Sequence, residues 1–207
     1  MTWEPVEHRV ELATDADTGR IVEMLVRAFE DDPVAGFMFA NEKRRPKSLR
    51  TFFSIQIRAD YLKTGEVWTT DDRRGAALWG PPNKPLPNVR DLLRLLPLLP
   101  ALFPPRHMQK ALRALFVVES FRPKYPHWYL ATLGTDPPAQ GHGIGSVLMS
   151  SMIERIDREG TPAYLESSKE RNVPFYSRFG FKVTKELRAV DGAPPIWLML
   201  RDAQGAQ

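Results

Sequence analysis

Cysteine is absent from the 207 residues, which excludes disulfides, thiolate metal ligation and a cysteine-bound acyl intermediate. Only four histidines are present, with no metal-ligand spacing among them, so no metal site is expected. No apolar run approaches the roughly 20 residues of a membrane-spanning helix. The residues around Trp3 and Glu4 lack the basic, apolar and small-residue progression of a secretory signal. A cytoplasmic protein without a membrane partner is therefore expected. Charge of one sign is scarce too. Lys and Arg number 29 against 25 Asp and Glu, and the excess of +4 is dispersed. Such a balance gives no tract for nucleic acid, and none is expected as a partner; it suits a polyanionic small molecule or an ordinary solvated surface equally.

What is present is enough apolar residue, 43%, for one compact domain over 1–207. Residues 6–12 alternate charged and apolar side chains as a half-buried strand does. An approximate capping box at Thr14 and Asp17 opens a helix carrying Ile21, Val22, Leu25, Ala28 and Phe29, which ends at the acidic turn before Pro33. A second helix is expected over 47–62, with Leu49, Phe52, Phe53, Ile57 and Tyr61 on one face and Gly65 closing it. Residues 66–70 and 76–79 read as a hairpin. Residues 88–105 are rich in Leu and Pro and predict broken helices or a cover. A further helix is expected over 107–118, its apolar face formed by Met108, Ala111, Leu112, Leu115 and Phe116.

The last third has the order strand (128–135), glycine loop (140–145), helix (from Ile144 to Gly160), strand (163–167). That is a β-α-β unit with two neighbouring parallel strands. Asn172 can cap a short helix with Pro174 in its first turn and Gly180 at its end. Two closing strands surround Asp191 and Gly192. Because Gln140-Gly141-His142-Gly143-Ile144-Gly145 follows a strand and opens a helix, its amides can converge on a phosphate; a plain turn is the competing reading. A dinucleotide fingerprint fails, since Ser146 stands where a glycine is needed, and a P-loop fails for want of a lysine.

The loop instead resembles the pyrophosphate signature of the GNAT superfamily of N-acetyltransferases: Gln or Arg, two residues, Gly, any residue, then Gly or Ala. Gln140, Gly143 and Gly145 meet it. The preceding strand to Pro137 and the later run from Glu166 through Asn172, Phe175 and Tyr176 to Phe181 are similar to GNAT segments in order and spacing. Residues 122–199, with Ala28, Phe29, Asp32 and Pro33, look like the puromycin N-acetyltransferase group within the superfamily; over 41–121 the likeness is weak.

The resemblance implies an α/β (α+β) fold, a mixed sheet with a splayed parallel pair flanked by helices. It implies an acceptor-side region at about 41–121 and a cofactor core at about 127–200. It also implies acetyl-CoA as cosubstrate and a small-molecule primary amine as acceptor, attacked directly in a ternary complex by a monomer or homodimer. The main chain of Leu133, Gly134 and Thr135 would meet the pantetheine arm. Gln140, Gly141, His142, Gly143, Ile144, Gly145 and Ser146 would surround the diphosphate, His142 as a solvated loop residue, with Asn172 a further contact. Gly134 would ease a bulge or mark tight packing. Tyr176 matches the position of the general acid. For the base, Glu166, Glu119 and a water relay stay open; Asp31 and Asp32 could draw in a cationic amine or could cap and pair locally. Acetylation of a protein lysine or amino terminus, and acyl-CoA sensing without turnover, are the alternative functions.

Overall fold

A computed structural model describes residues 8–64, 66–83 and 105–204. Strand β1 (Val10–Leu12) leads into a short 3-10 turn (Asp15–Asp17) and helix α1 (Thr18–Ala28). The Asp17 carboxylate receives both the backbone N–H and the hydroxyl of Thr14, at 2.9 and 2.8 Å, as the capping pattern predicts. Helix α2 (Pro33–Met38) follows at once, unanticipated by periodicity because it has only six residues. Helix α3 (Arg45–Ile55) continues through a π-helical stretch (Gln56–Tyr61) into one last turn (Leu62–Thr64). Its expected face is right: Leu49, Phe53, Ile57 and Tyr61 are buried, and Phe52 is half-buried.

Strands β2 (Val67–Thr70) and β3 (Gly75–Gly80) form the expected hairpin. After helix α4 (Pro105–Ser120) come β4 (Trp128–Thr135), α5 (Ile144–Arg158), β5 (Ala163–Ser167), the short helix α6 (Val173–Ser177), β6 (Lys182–Leu187) and β7 (Ile196–Arg201). Residues 6–7, Gly65 and 88–104, where a strand start, a helix end and a cover are expected, lie outside the described residues. The face expected for α4 needs correction. Its small residues Ala111 and Ala114 are buried, while Leu112, Leu115 and Phe116 are 38%, 47% and 74% exposed; small side chains let a helix approach its support closely.

Among the described residues seven strands make one mixed sheet in the order β1-β2-β3-β4-β5-β7-β6, in which β4 and β5 pair in parallel. The period of two along β3 divides the core. Ala76 and Leu78 meet α1 and α3, while Ala77 and Trp79 join Leu148, Met149, Met152 and Ile156 of α5. Against β3 the register of β4 jumps, Leu78 opposing Thr132 but Trp79 opposing Leu130, which leaves Ala131 as a bulge. A bulge exchanges the faces of a strand. Trp128 and Leu130 pack on the α5 side before it; Leu133 does so after it, and Gly134 then faces α1.

Gly134 is thus the close-packing glycine rather than the seat of the bulge. A β-carbon there would stand 2.5 Å from Leu25 Cδ2 and 3.3 Å from Phe29 Cε2, and Leu25 is fully buried. Gly134→Ala is expected to destabilise the protein by about 1–3 kcal/mol through overpacking, read as a fall of several degrees in Tm by calorimetry.

Candidate active site

Pairing between β4 and β5 covers only Trp128, Tyr129 and Leu130 against Ala163, Tyr164 and Leu165, although both strands run on. Beyond Leu130 they diverge, so the β5-facing edge of Ala131–Thr135 has no partner strand, and a cleft of about 560 Å³ opens there. A strand edge left unpaired inside a cleft offers amide and carbonyl groups to an extended ligand. Arg27 and Asp136 hold the far end of this edge, with two hydrogen bonds of 2.9 Å tying α1 to the residue after β4.

The glycine loop forms one end of the cleft. Gly141 and Gly143 have φ of +81° and +86°, a left-handed conformation that other residues adopt at a cost. Gly143 is the N-cap of α5 and no side chain caps the helix, so the amides of Ile144, Gly145 and Ser146 face outward without helical acceptors. The partial positive charge at this end of α5 favours an anion. Gln140 Nε2 donates to Thr135 O at 3.2 Å and ties the loop to β4.

Leu133, Gly134, Thr135, Gln140, Gly141, Gly143, Ile144, Gly145, Ser146, Glu166, Asn172 and Tyr176 all line this one cleft. His142 does not; its side chain is exposed, with Nδ1 2.9 Å from Gln140 O. Asn172 is the N-cap of α6, but its side chain makes no capping hydrogen bond, which leaves the amide available to the cleft. The cations Lys169, Arg171 and Arg178 also line it, and no motif marked them because they are scattered over two turns. Asp31 is committed to two of them, at 2.7 Å to Lys169 and 3.4 Å to Arg171. Asp32 caps α2, accepting from the amides of Val34 and Ala35 at 2.9 Å, and also accepts from Ser168 Oγ. The pairing and capping readings of these two aspartates are therefore the ones the geometry fits.

Tyr176 is buried between Phe175 and Phe181. Its hydroxyl has no hydrogen-bond partner among the described residues, contrary to a locally satisfied phenol. Burial, then the nearby Asp32 charge, push its pKa upward, so the phenol keeps its proton at neutral pH. Glu166 lies on the opposite face of β5 from Leu165, with Tyr164. Tyr129 Oη donates to its Oε2 at 2.7 Å, while Oε1 is shielded from solvent and accepts nothing among the described residues. Burial raises the Glu166 pKa, opposed by Arg122 and by the neighbouring Tyr129 and Tyr164 hydroxyls.

Glu166 and Ser168 also line a second cavity, of about 230 Å³, walled mainly by Val34, Phe37, Met38, Ala114, Val118 and Ile196. Glu119 and Arg122 reach the same cavity and pair at 2.8 Å; the Arg122 guanidinium lies 3.8 Å from the Tyr129 ring centroid. Glu119 is thus paired, and Glu166 is the carboxylate whose residue lines both cavities. Chain pattern could not reveal this cavity, because α2, α4, β5 and β7 meet only in three dimensions.

Residues 111–181 match the model of the acetyltransferase (GNAT) family. The chain is 28% identical over 200 residues, 91% of its length and 81% of the relative's, to an uncharacterized N-acetyltransferase of Schizosaccharomyces pombe. Among solved structures, a Corynebacterium glutamicum protein described as histone acetyltransferase HPA2 and related acetyltransferase superposes with a TM-score of 0.71 at 27% identity, covering 97% of this chain and 98% of that one. Arylalkylamine N-acetyltransferase 2 of Aedes aegypti shares the fold, with a TM-score of 0.62 at 15% identity and coverage of 96% and 100%. The splayed strand pair, the glycine loop at a helix start and these likenesses make the chain an acyltransferase of the GNAT fold. Within that class the chain is similar to N-acetyltransferases, and the GNAT family model covers residues 111–181 of it.

Proposed function

We propose that the protein transfers the acetyl group of acetyl-CoA to a primary amine of a small molecule, by direct attack in a ternary complex. The observation that carries this reading is that Glu166 and Ser168 line both the phosphate-compatible cleft and a compact, mainly apolar cavity. The residues fit the cosubstrate: outward amides at Ile144, Gly145 and Ser146 and the cations Lys169, Arg171 and Arg178 suit phosphates, and the open edge of Leu133, Gly134 and Thr135 suits an amide-bearing arm. Gln140, Gly141, Gly143 and Asn172 complete the contacts, with His142 contributing at most its backbone. Acetyl-CoA supplies an activated thioester. The Glu166 carboxylate takes the proton from the amine, and Tyr176 Oη donates one to the departing sulfur. The likeness of residues 122–199 to the puromycin N-acetyltransferase group is part of the proposal and favours an acceptor with an apolar body.

Purified protein with acetyl-CoA and a panel of small amines, a lysine peptide and an amino-terminal peptide is expected to release thiol only with the small amines. Turnover confined to the peptides would replace the acceptor class, and tight CoA binding without thiol release would make the protein a sensor. Tyr176→Phe should leave CoA affinity unchanged and lower kcat by about tenfold to a thousandfold; unchanged kcat would remove Tyr176 from the mechanism.

A further inference from the structure

The apolar cavity beyond Glu166 adjoins a further depression of the surface. It shares Phe37, Ala189, Ala193 and Pro194 with an open basin of about 840 Å³ between α2, α4 and the loop that joins β6 to β7. The two ends of this passage differ in charge. At the inner end stands the Glu166 carboxylate. At the outer end, the exposed Arg113 of α4 and Arg188 of the loop both line the basin. Neither makes an ion pair or a hydrogen bond among the described residues. Lys110 Nζ adds a third positive charge, 5.7 Å from the Phe37 ring centroid and 3.4 Å from where a β-carbon on Gly192 would stand. Asp191 is the one acid among the basin's lining residues.

Two arginines that line one basin without partners among the described residues present fork-shaped donors suited to the planar or tetrahedral oxygens of a carboxylate or phosphate. Elsewhere the described arginines near acids use them: Arg27, Arg50, Arg73, Arg155 and Arg201 are all paired. We infer that the acceptor carries an oxyanion at the end opposite its amine: the amine sits at Glu166, an apolar linker fills the cavity, and the anion rests between Arg113 and Arg188. The inference rests on the proposed reading of the Glu166 cavity as the acceptor site. It distinguishes a zwitterionic acceptor from a diamine, whose second cation would meet three like charges at the basin.

The test uses the full chain saturated with CoA and three probe series matched in length: ω-aminocarboxylates of six to twelve carbons, n-alkylamines and α,ω-diamines, with an ω-aminoalkyl phosphonate to tell carboxylate from phosphate. Calorimetry reads binding, and thiol release with acetyl-CoA reads turnover. The anionic probe of best length is expected to bind about tenfold tighter than the alkylamine, and tighter still than the diamine. That preference should shrink as salt rises. The R113E/R188E double variant should bind CoA normally, since neither residue touches the cofactor cleft, and should reverse the ranking in favour of the diamine. Equal affinity for anionic and neutral probes at every length, or an unchanged ranking in the double variant, overturns the inference. Preferential binding without thiol release from any probe would instead overturn acetyl transfer and leave the anion subsite standing.

Discussion

Replacing Glu166 by glutamine should lower kcat by about 10²- to 10⁴-fold, the usual scale for loss of general base catalysis, with the affinity for acetyl-CoA unchanged. Glutamine keeps the length, and its carbonyl oxygen can still accept from Tyr129, so the cavity persists while the proton acceptor is gone. In the wild type, the log of kcat/KM should rise with pH at unit slope through an apparent pKa above the ordinary carboxylate range, because burial raises that of Glu166; E166Q should lack this limb. A second readout separates catalysis from folding. A carboxyl group whose pKa is raised by folding contributes stability below its unfolded pKa of about 4.3 and loses it as pH climbs through the folded value. E166Q should therefore have a higher Tm than wild type at neutral pH, with the gap closing below about pH 4. A wild-type rate and pH profile in E166Q would hand the proton to Glu119 or to a water relay.

The readable parts of this molecule are those whose information is local. Strand β4, helix α5 and strand β5 appear where alternation, helical spacing and the glycine loop put them, because each signal lies within a dozen residues. The glycine loop is legible for the same reason: the left-handed φ of Gly141 and Gly143 and the helix start after them leave a mark in sequence. Helix α2 was missed because six residues complete fewer than two turns, and its start depends on the Asp32 cap, which an acidic turn disguises. The face of α4 is legible in part: Met108 and Ala111 pack on the core as expected, while Leu112, Leu115 and Phe116 stay exposed and Ala114 is buried in their place. The bulge lies at Ala131, a residue with no compositional signature, since a slip of register is a property of two strands together. Long-range partnerships are silent in the chain for the same reason: Tyr129 with Glu166 and Ser168 with Asp32 are brought together only by the sheet order.

Gly143→Glu should abolish measurable CoA binding, raising Kd by more than about 100-fold, while the protein remains folded. The position separates the two effects cleanly. No atom lies within 4 Å of the β-carbon a side chain would add, so the substitution meets no steric barrier inside the protein. Its backbone, at φ +86° and ψ −8°, imposes a cost of about 1–2 kcal/mol on any residue but glycine, which a domain of this size survives. The new carboxylate, however, would stand at the N-cap of α5, where the proposed site receives a diphosphate. Like charges held at contact cost several kcal/mol, and the glutamate would also satisfy the helix's outward amides in the ligand's place. Gly143→Ala is the control: it carries the backbone strain without the charge and should weaken CoA binding far less. If G143E, folded by circular dichroism, bound CoA within tenfold of wild type, the diphosphate would not lie at the start of α5, and the cleft's assignment to acetyl-CoA would fail with it.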